Sequence, residues 1–156
     1  MRQKETIGAF VRVPIDDTYH TYGRMINRSV YAFYDFKTDS EIVDLNSIEE
    51  SAVLFKLMVI KDAVTKGHWK KIGIKELPEN LKAPVPFFKQ EVGRPNDCSI
   101  ILVEGNNIKK VSPEDCVGLE RFAAWEHDHV EQRLRDYYNG VRNVDSYMLR
   151  VNGPLT

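Results

Sequence analysis

The sequence lacks the long apolar segment that a membrane span or an export signal requires. Its longest apolar run, residues 52–60, is interrupted by Lys56, whereas a transmembrane helix needs about 20 apolar residues. The first residues, MRQKET, contain no apolar stretch of the kind found at the centre of a signal peptide. We therefore expect no membrane association and a cytoplasmic location.

Cysteine and histidine are also scarce. The two cysteines, Cys98 and Cys116, are too few to staple a small secreted domain, so both are expected to be reduced thiols. The four histidines are scattered without the spacing of metal ligands. We therefore predict no structural metal and no bound cofactor.

No motif of a common catalytic site is present. Gly8 and Gly23 stand alone, which excludes a glycine-rich phosphate loop, and neither G-x-S-x-G nor H-E-x-x-H occurs. His127 and His129 would lie about 200° apart on a helix, so they cannot bind one metal by themselves. We predict that the protein is not an enzyme.

An enzyme that uses Cys116 or His127 is one alternative. Cys116 lies near the start of a predicted helix, where a thiolate is favoured, but it also falls on the inward face, where an inert thiol is the commoner outcome. His127 falls near the apolar face of the same helix, which is typical of a hydrogen-bonded core histidine.

The net charge is close to zero, but the charges are unevenly distributed. A formal net charge of -1 argues against a general nucleic-acid coat. Residues 35–50 contain six acids and one base, Lys37, whereas residues 56–94 contain nine bases and four acids. Such segregation favours a protein that presents an acidic face to a basic partner. An ordinary solvated surface is the alternative.

The chain is long enough for one domain, which we predict to span residues 1–156. Residues 6–36 predict a three-stranded β-meander, and the rest of the chain closes and covers it. Pro14 ends the first strand because proline has no N–H to pair. Gly23 interrupts the second strand and indicates a bulge or a close backbone approach. Residues 30–36 are rich in aromatic residues, as strands often are.

Short elements are predicted in the middle of the chain. The patterns indicate a brief strand at Ile42–Val43, a helical turn capped at Asn46–Ser47 that runs through Glu50, a strand at 52–60, a short helix at 62–66 ended by Gly67, and a strand at 68–74 with Trp69 and Ile72 in the core. The segment 52–60 is apolar on both faces, so a buried helix is the alternative there. The prolines at 78, 84 and 86 predict a surface crossing, held down by Phe87 and Phe88.

The last third predicts a hairpin followed by one long helix. Residues 99–111 form the hairpin, with a Gly/Asn turn. Ser112 and Pro113 are typical of a helix start, and this helix should run to about Asn139 before Gly140. Its inward stripe contains Cys116, Leu119, Ala123, Val130, Leu134 and Tyr137. With a last edge strand at 146–151, the predicted class is α+β: a curved, mostly antiparallel, barrel-like sheet with one long C-terminal helix packed on it.

The aromatic meander supports a second functional hypothesis, a small-barrel nucleic-acid-binding protein. Six aromatic residues could form a stacking platform for single-stranded RNA, namely Tyr19, Tyr22, Tyr31, Phe33, Tyr34 and Phe36. Aromatic residues also fill cores, and only three arginines are interleaved with them. We therefore predict a partner other than nucleic acid and keep the nucleic-acid-binding protein as the alternative function.

Several segments, taken in order, resemble the immunity protein 26 family of bacterial polymorphic toxin systems. They are GAFVRVPIDD at 8–17, YGRM at 22–25, AFYD at 32–35, GHWKKIG at 67–73, and parts of the late helix at 119–134. Thr18 departs from the glycine that the family often has after the acids, so the first turn can differ in shape. Gly8, Pro14, Gly23, Trp69, Gly73 and Trp125 are interpreted as fold determinants.

The resemblance implies an antitoxin that binds one cognate toxin in the cytoplasm and has no catalytic residues. If the toxin is a nuclease with a basic groove, acidic side chains can take the place of phosphates there. The predicted toxin-binding residues are Asp16, Asp17, Asp35, Asp39, Glu41 and Asp44, with Tyr19 and Tyr22 as aromatic anchors.

Overall fold

The computed structural model describes residues 2–103 and 107–154. The chain is an α+β protein, as predicted. Its strands are β1 Ala9–Pro14, β2 His20–Asn27, β3 Val30–Tyr34, β4 Val53–Val59, β5 Lys70–Ile74, β6 Pro86–Glu91, β7 Arg94–Leu102, β8 Asn107–Val111, β9 Glu120–Arg121 and β10 Ala124–Trp125. Its helices are α1 Leu45–Glu50, α2 Asp62–Thr65, α3 His127–Asn139 and α4 Val144–Leu149.

The first sheet has six strands in the order β10-β4-β3-β2-β1-β5. All neighbours pair antiparallel except β10, which is parallel to β4. The predicted meander is therefore confirmed, and Pro14 is the last residue of its first strand. The segment predicted at 52–60 is a strand, β4, and not the alternative helix.

Gly23 marks a close approach within this sheet. A Cβ atom at this position would lie 3.0 Å from Cε1 of Phe33 on the neighbouring strand. The irregularity in the pairing of β2 with β3 lies between Met25 and Asn27. Of the two predicted explanations for this glycine, the structure therefore favours the close approach over a bulge.

The second sheet has four strands in the order β8-β7-β6-β9. The predicted hairpin is β7 paired with β8, and its turn at 104–106 lies outside the described residues. The proline-containing segment that was predicted to cross the surface continues into β6. This strand begins at Pro86, where the N–H that proline lacks is not needed for pairing. Phe87 and Phe88 of this strand are fully buried.

The largest part of the core lies between the first sheet and α3. Trp69 is fully buried, and its ring meets those of Tyr31 and Phe33 edge-on at 6.0 and 5.6 Å. Val130 and Leu134 of α3 close the same cluster. Both belong to the predicted inward stripe, whereas Tyr137 of that stripe is 46% exposed.

A second apolar cluster joins the two sheets. Ile26, Val30 and Ala32 of the first sheet pack with Leu81, Val85 and Phe87, which come from β6 and the segment before it. The prediction of one barrel-like sheet is corrected here: the described strands form two packed sheets and close no barrel.

The long predicted helix is wrong over its first half. Ser112 and Asp115 do form a capping box, but it begins only a 3-10 helix, Pro113–Cys116. Gly118 follows at a φ of +86°, and the chain then runs through β9 and β10 before α3 begins at His127. The predicted end is right, because Gly140 caps α3 in the left-handed conformation.

Two predicted strands are also wrong. Ile42–Val43 lies in a loop before α1, and the cap of that helix is Asp44, not Asn46 or Ser47. Residues 144–149 form α4 where an edge strand was predicted, because the Asn143 side chain accepts a hydrogen bond from the Ser146 N–H. The short helix before Gly67 is confirmed as α2. None of the described helices is both long and apolar enough for a membrane span.

Candidate functional site

The turn between β1 and β2 fixes two of the predicted acidic residues on the surface. The Asp16 carboxylate accepts hydrogen bonds from the N–H groups of Thr18 and Tyr19, at 2.8 and 2.6 Å. These bonds, with that from Tyr19 the stronger, lower the pKa of Asp16. Ile15 is buried beneath the turn. The turn is therefore rigid, and Asp16 stays ionised at neutral pH.

The loop after β3 brings Asp39 and Glu41 close to this turn. His20 exchanges two backbone hydrogen bonds of 3.0 Å with Thr38. Arg12 Nη2 donates to the Glu41 carbonyl oxygen at 2.8 Å. His20 Nε2 lies 2.9 Å from the Ser40 carbonyl oxygen, and partial burial lowers the pKa of this imidazole. These contacts hold the loop against the beginning of β2.

The turn and the loop enclose a surface cleft of about 380 Å³, here called the acidic cleft. Five of the predicted binding residues line it: Asp16, Asp17, Tyr19, Asp39 and Glu41. Arg12, His20, His68 and Lys70 line it as well. The four carboxylates outnumber the two permanent cations, Arg12 and Lys70, which leaves a net charge of -2 before the histidines are counted.

Helix α3 braces the acidic cleft from one side. Arg135 donates a hydrogen bond to the Ile15 carbonyl oxygen at the base of the turn. His127 of α3 stacks on His68 with ring centroids 3.8 Å apart and an angle of 11° between the ring planes. Glu131 Oε2 lies 2.8 Å from His127 Nδ1 and accepts the Trp69 indole N–H at 2.9 Å. The cleft wall is thus tied to the main core.

The two remaining predicted acids, Asp35 and Asp44, lie outside the cleft. Asp35 is exposed and accepts a hydrogen bond of 2.9 Å from the Tyr137 hydroxyl. Asp44 is exposed and caps α1, where its side chain accepts the Asn46 N–H at 3.1 Å. Both are accessible to a partner, but the structure also gives each of them a local structural role.

Tyr22 is not a surface anchor. Its side chain is fully buried, with its ring 5.5 Å from that of His20 and 5.8 Å from that of Phe36. From Thr21 to Asn27 both faces of β2 are covered, so strand alternation places none of these side chains on the surface. Tyr19 is 38% exposed, and the Lys37 ammonium lies 4.6 Å from its ring centre. Of the two predicted aromatic anchors, only Tyr19 reaches the surface.

The aromatic platform for RNA is also contradicted. Tyr31, Phe33 and Tyr34 are each at most 1% exposed, so no base can stack on them in this structure. Their side chains fill the core on the two faces of β3. This agrees with the alternative explanation, in which these aromatic residues are strand formers that fill a core.

The two residues of the enzyme hypothesis have different surroundings. Cys116 is fully buried, and burial raises its thiol pKa to about 11, which leaves it protonated at neutral pH. His127 is partly exposed and bound to Glu131, so it is not the core histidine that the sequence predicts. Within the described residues, no three His, Cys, Asp or Glu side chains are grouped to hold a metal ion.

Sequence reasoning missed the basic side of the acidic cleft. Arg12 and Lys70 face each other across the β1–β5 pairing, and His68 reaches the cleft only because β5 lies beside β1. The order of these strands follows from a long-range pairing that no local pattern marks. The available signal was Arg12 alone, a charged residue inside an otherwise apolar strand.

Comparison with models of known protein families gives a match within the first two thirds of the chain. The family model described as Immunity protein 26 matches residues 6–99, which is more than half of the 156 residues. The matched span contains all eight predicted binding residues, and the resemblance at 119–134 lies outside it. Neither the curated proteins nor the solved structures give a significant match.

Proposed function

This chain belongs to the immunity protein 26 family, and from this premise we propose that it neutralises one cognate bacterial toxin by binding it in the cytoplasm. The contact surface in this proposal is the acidic cleft, together with Asp35 and Asp44, which lie outside it. The protein acts by occupying the toxin surface and carries out no covalent step.

One observation carries the choice of surface: four exposed acidic residues from two separate segments line one cleft, and all four belong to the family-matched span. Exposed acids that share a cleft create a negative potential that steers a basic partner and speeds its association. The hydrogen bonds to Asp16 and the contacts at Glu41 fix the two segments before binding. Little ordering entropy is then lost on association.

The charge of the acidic cleft also suggests the kind of toxin. A nuclease groove is basic because it binds phosphates. The side chains of Asp16, Asp17, Asp39 and Glu41 offer oxyanions of similar charge, and Tyr19 adds a half-exposed ring beside them. We propose a nuclease toxin whose substrate groove accepts this surface.

Co-expression with the toxin domain of a neighbouring gene tests the proposal. Wild-type protein should rescue growth and co-purify with the toxin. A variant with Asp16→Asn, Asp17→Asn, Asp39→Asn and Glu41→Gln should bind at least about tenfold more weakly, mainly through slower association, and with a weaker salt dependence.

The matched control removes the same number of negative charges elsewhere. Glu50→Gln, Glu114→Gln, Glu126→Gln and Asp128→Asn change four exposed acids that do not line the acidic cleft. This control should bind like wild type. Equal weakening in both variants would contradict the chosen surface, and absence of rescue and co-purification by wild-type protein would contradict the antitoxin function.

A further inference from the structure

A second cavity lies away from the acidic cleft, and none of its lining residues falls within the family-matched span. It encloses about 330 Å³ between the 117–121 segment, α3 and the end of α4. Small ligands occupy cavities from about 300 Å³ upward. Three arginines line it, Arg121, Arg133 and Arg150, and we call it the arginine pocket.

One of the three arginines is neutralised by an acid. Arg133 forms two parallel hydrogen bonds to Glu120, at 2.8 and 2.9 Å, and Glu120 is the only acid among the described residues that line the pocket. The Arg133 guanidinium also lies 4.0 Å from the centre of the Phe55 ring. This pair is a fixed part of the wall and leaves the charge of the other two arginines uncompensated.

Arg121 has donor capacity that the described residues do not satisfy. Its Nε donates to the Leu149 carbonyl oxygen at 2.9 Å and its Nη1 to the Gln90 carbonyl oxygen at 3.4 Å. Its buried Nη2 has no hydrogen-bond acceptor among the described residues. Burial lowers the pKa of Arg121, which reflects the cost of its desolvated charge. A buried charge of this kind is normally balanced by a counter-charge.

Arg150 supplies the second free charge at the mouth of the pocket. Its Nη1 donates to the Tyr147 carbonyl oxygen at 2.6 Å, and its guanidinium stacks 3.7 Å from the centre of the Tyr147 ring. Among the described residues it pairs with no carboxylate. The stacking fixes the guanidinium plane, and a planar fork of this kind matches the geometry of carboxylate and phosphate oxygens.

We propose that the arginine pocket binds a small anion through a phosphate or carboxylate group. In this proposal the exposed guanidinium of Arg150 contacts the anion directly. Arg121 adds its uncompensated positive charge from within the pocket wall, because its Nη2 is buried. The apolar side chains of Leu119, Leu149 and Val151 accommodate a short carbon skeleton. This site is separate from the proposed toxin-binding surface, because none of the described residues lines both the arginine pocket and the acidic cleft.

The test is a titration of the full chain followed by NMR, with inorganic phosphate, phenyl phosphate and succinate as probes at constant ionic strength. At least one probe should cause saturable shifts of the amides of residues 117–121 and 149–152. Phosphate-only shifts assign a phosphoryl ligand, and succinate-only shifts assign a carboxylate. No saturable shift with any probe, or shifts centred elsewhere, would overturn the proposal.

Two exposed arginines on the same aromatic ring provide a matched pair of variants. Arg150→Gln should weaken binding about tenfold, which is typical for the loss of one charge-assisted hydrogen bond. Arg142 also stacks on Tyr147, at 4.5 Å, but does not line the pocket, so Arg142→Gln should leave binding unchanged. Equal weakening in both variants would mean that binding depends only on the overall positive charge of the protein surface. The proposed site would then be rejected.

Discussion

Arg24 is a charged side chain placed in the interior of the protein. It is fully buried, and its guanidinium lies 4.3 Å from the centre of the Phe10 ring. Its donors reach the Glu49 carboxylate, at 2.6 Å, and the backbone carbonyl oxygens of Gly8, Lys75 and Glu76. One side chain thus satisfies acceptors from three separate segments of the chain.

Replacing Arg24 by methionine should destabilise the fold by about 3 kcal/mol. The variant keeps much of the apolar volume but leaves three carbonyl oxygens without this donor and removes one partner of Glu49. Arg142→Met, at an exposed position, is the control and should change stability by less than about 0.5 kcal/mol. Urea unfolding measures both. Equal stabilities would contradict the role assigned to Arg24.

Gly8 is required for a close contact between two backbone segments. Its φ is +92°, and an added Cβ atom would lie 2.4 Å from the Lys75 carbonyl oxygen. Gly93 has a similar φ of +76°, but apart from its chain neighbours no described residue has an atom within 4 Å of the Cβ position. The same substitution at the two glycines therefore distinguishes the cost of backbone strain from the cost of steric overlap.

Gly8→Ala should cost considerably more stability than Gly93→Ala. Both variants carry the strain of a positive φ, about 1 kcal/mol. Only Gly8→Ala must also move the Lys75 backbone, and its total cost should exceed about 3 kcal/mol. Thermal or urea unfolding of the two variants gives the comparison. A difference below about 1 kcal/mol would show that the segments separate easily.

The carboxylate of Glu49 is one of the groups that attach helix α1 to the first sheet and to Lys75. Glu49 accepts hydrogen bonds from the Lys75 ammonium at 2.9 Å and from Arg24 at 2.6 Å. The bond from Lys75, followed by that from Arg24, lowers the pKa of Glu49 below its usual value of 4.5. The folded state therefore holds the ionised carboxylate more strongly than the unfolded chain does.

This attachment should make stability sensitive to acid. Its contribution is fully present above the unfolded pKa of 4.5 and is lost as the pH falls through the lower pKa of the folded state. Glu49→Gln should lower Tm at pH 7 and flatten its decline between about pH 5 and about pH 3. Glu50→Gln, at the exposed neighbour, should keep the wild-type slope. Parallel slopes for wild type and Glu49→Gln would exclude this role.

Elements with local signals could be predicted, and elements made by distant pairing could not. The ends of α2 and α3 were found because Gly67 and Gly140 sit in the left-handed conformation that such ends need. The capping box at Ser112 was also found, but the chain after it forms β9, which pairs with β6, and β10, which pairs with β4, and both partners lie far away in the sequence. Gly118 was the one local signal against a continuous helix there.

The surface positions of the predicted binding residues could be predicted only in part, for a similar reason. The acids at Asp16, Asp17, Asp39 and Glu41 were recognisable because charges in turns and loops stay in water, and their segments meet across the β1–β2 turn. Tyr22 was misplaced because alternation identifies an outer face only where one face of a sheet is solvated. Here both faces of β2 are covered, by α1 and its loop on one side and by the main core on the other.

At the scale of the whole molecule, the two sheets are joined too closely to unfold separately. Strand β9 belongs to the second sheet and β10 to the first, and only Phe122 and Ala123 lie between them. The Phe122 N–H donates to the Phe88 carbonyl oxygen at 2.7 Å, and the Ile60 N–H to that of Trp125 at 2.9 Å. Apolar contacts between the sheets add to this link. We therefore expect one cooperative unfolding transition.

The position of the tryptophans allows a sharp test of this cooperativity. Trp69 and Trp125 both belong to the core cluster beneath α3, whereas Phe88 packs with Cys98 and Cys116 in the second sheet. Phe88→Leu should lower stability by about 1–2 kcal/mol, or Tm by about 2–8 °C.

In Phe88→Leu, the unfolding midpoint measured by tryptophan fluorescence should fall as far as the midpoint measured by circular dichroism. This is expected although Phe88 lies outside the cluster that contains the tryptophans. Val92→Ala, at a site 79% exposed, is the control and should leave the midpoint in place. If the fluorescence midpoint stays at the wild-type value in Phe88→Leu while circular dichroism shifts, the sheets are separate folding units. The contacts between them would then contribute little to stability, because coupled units must lose stability together.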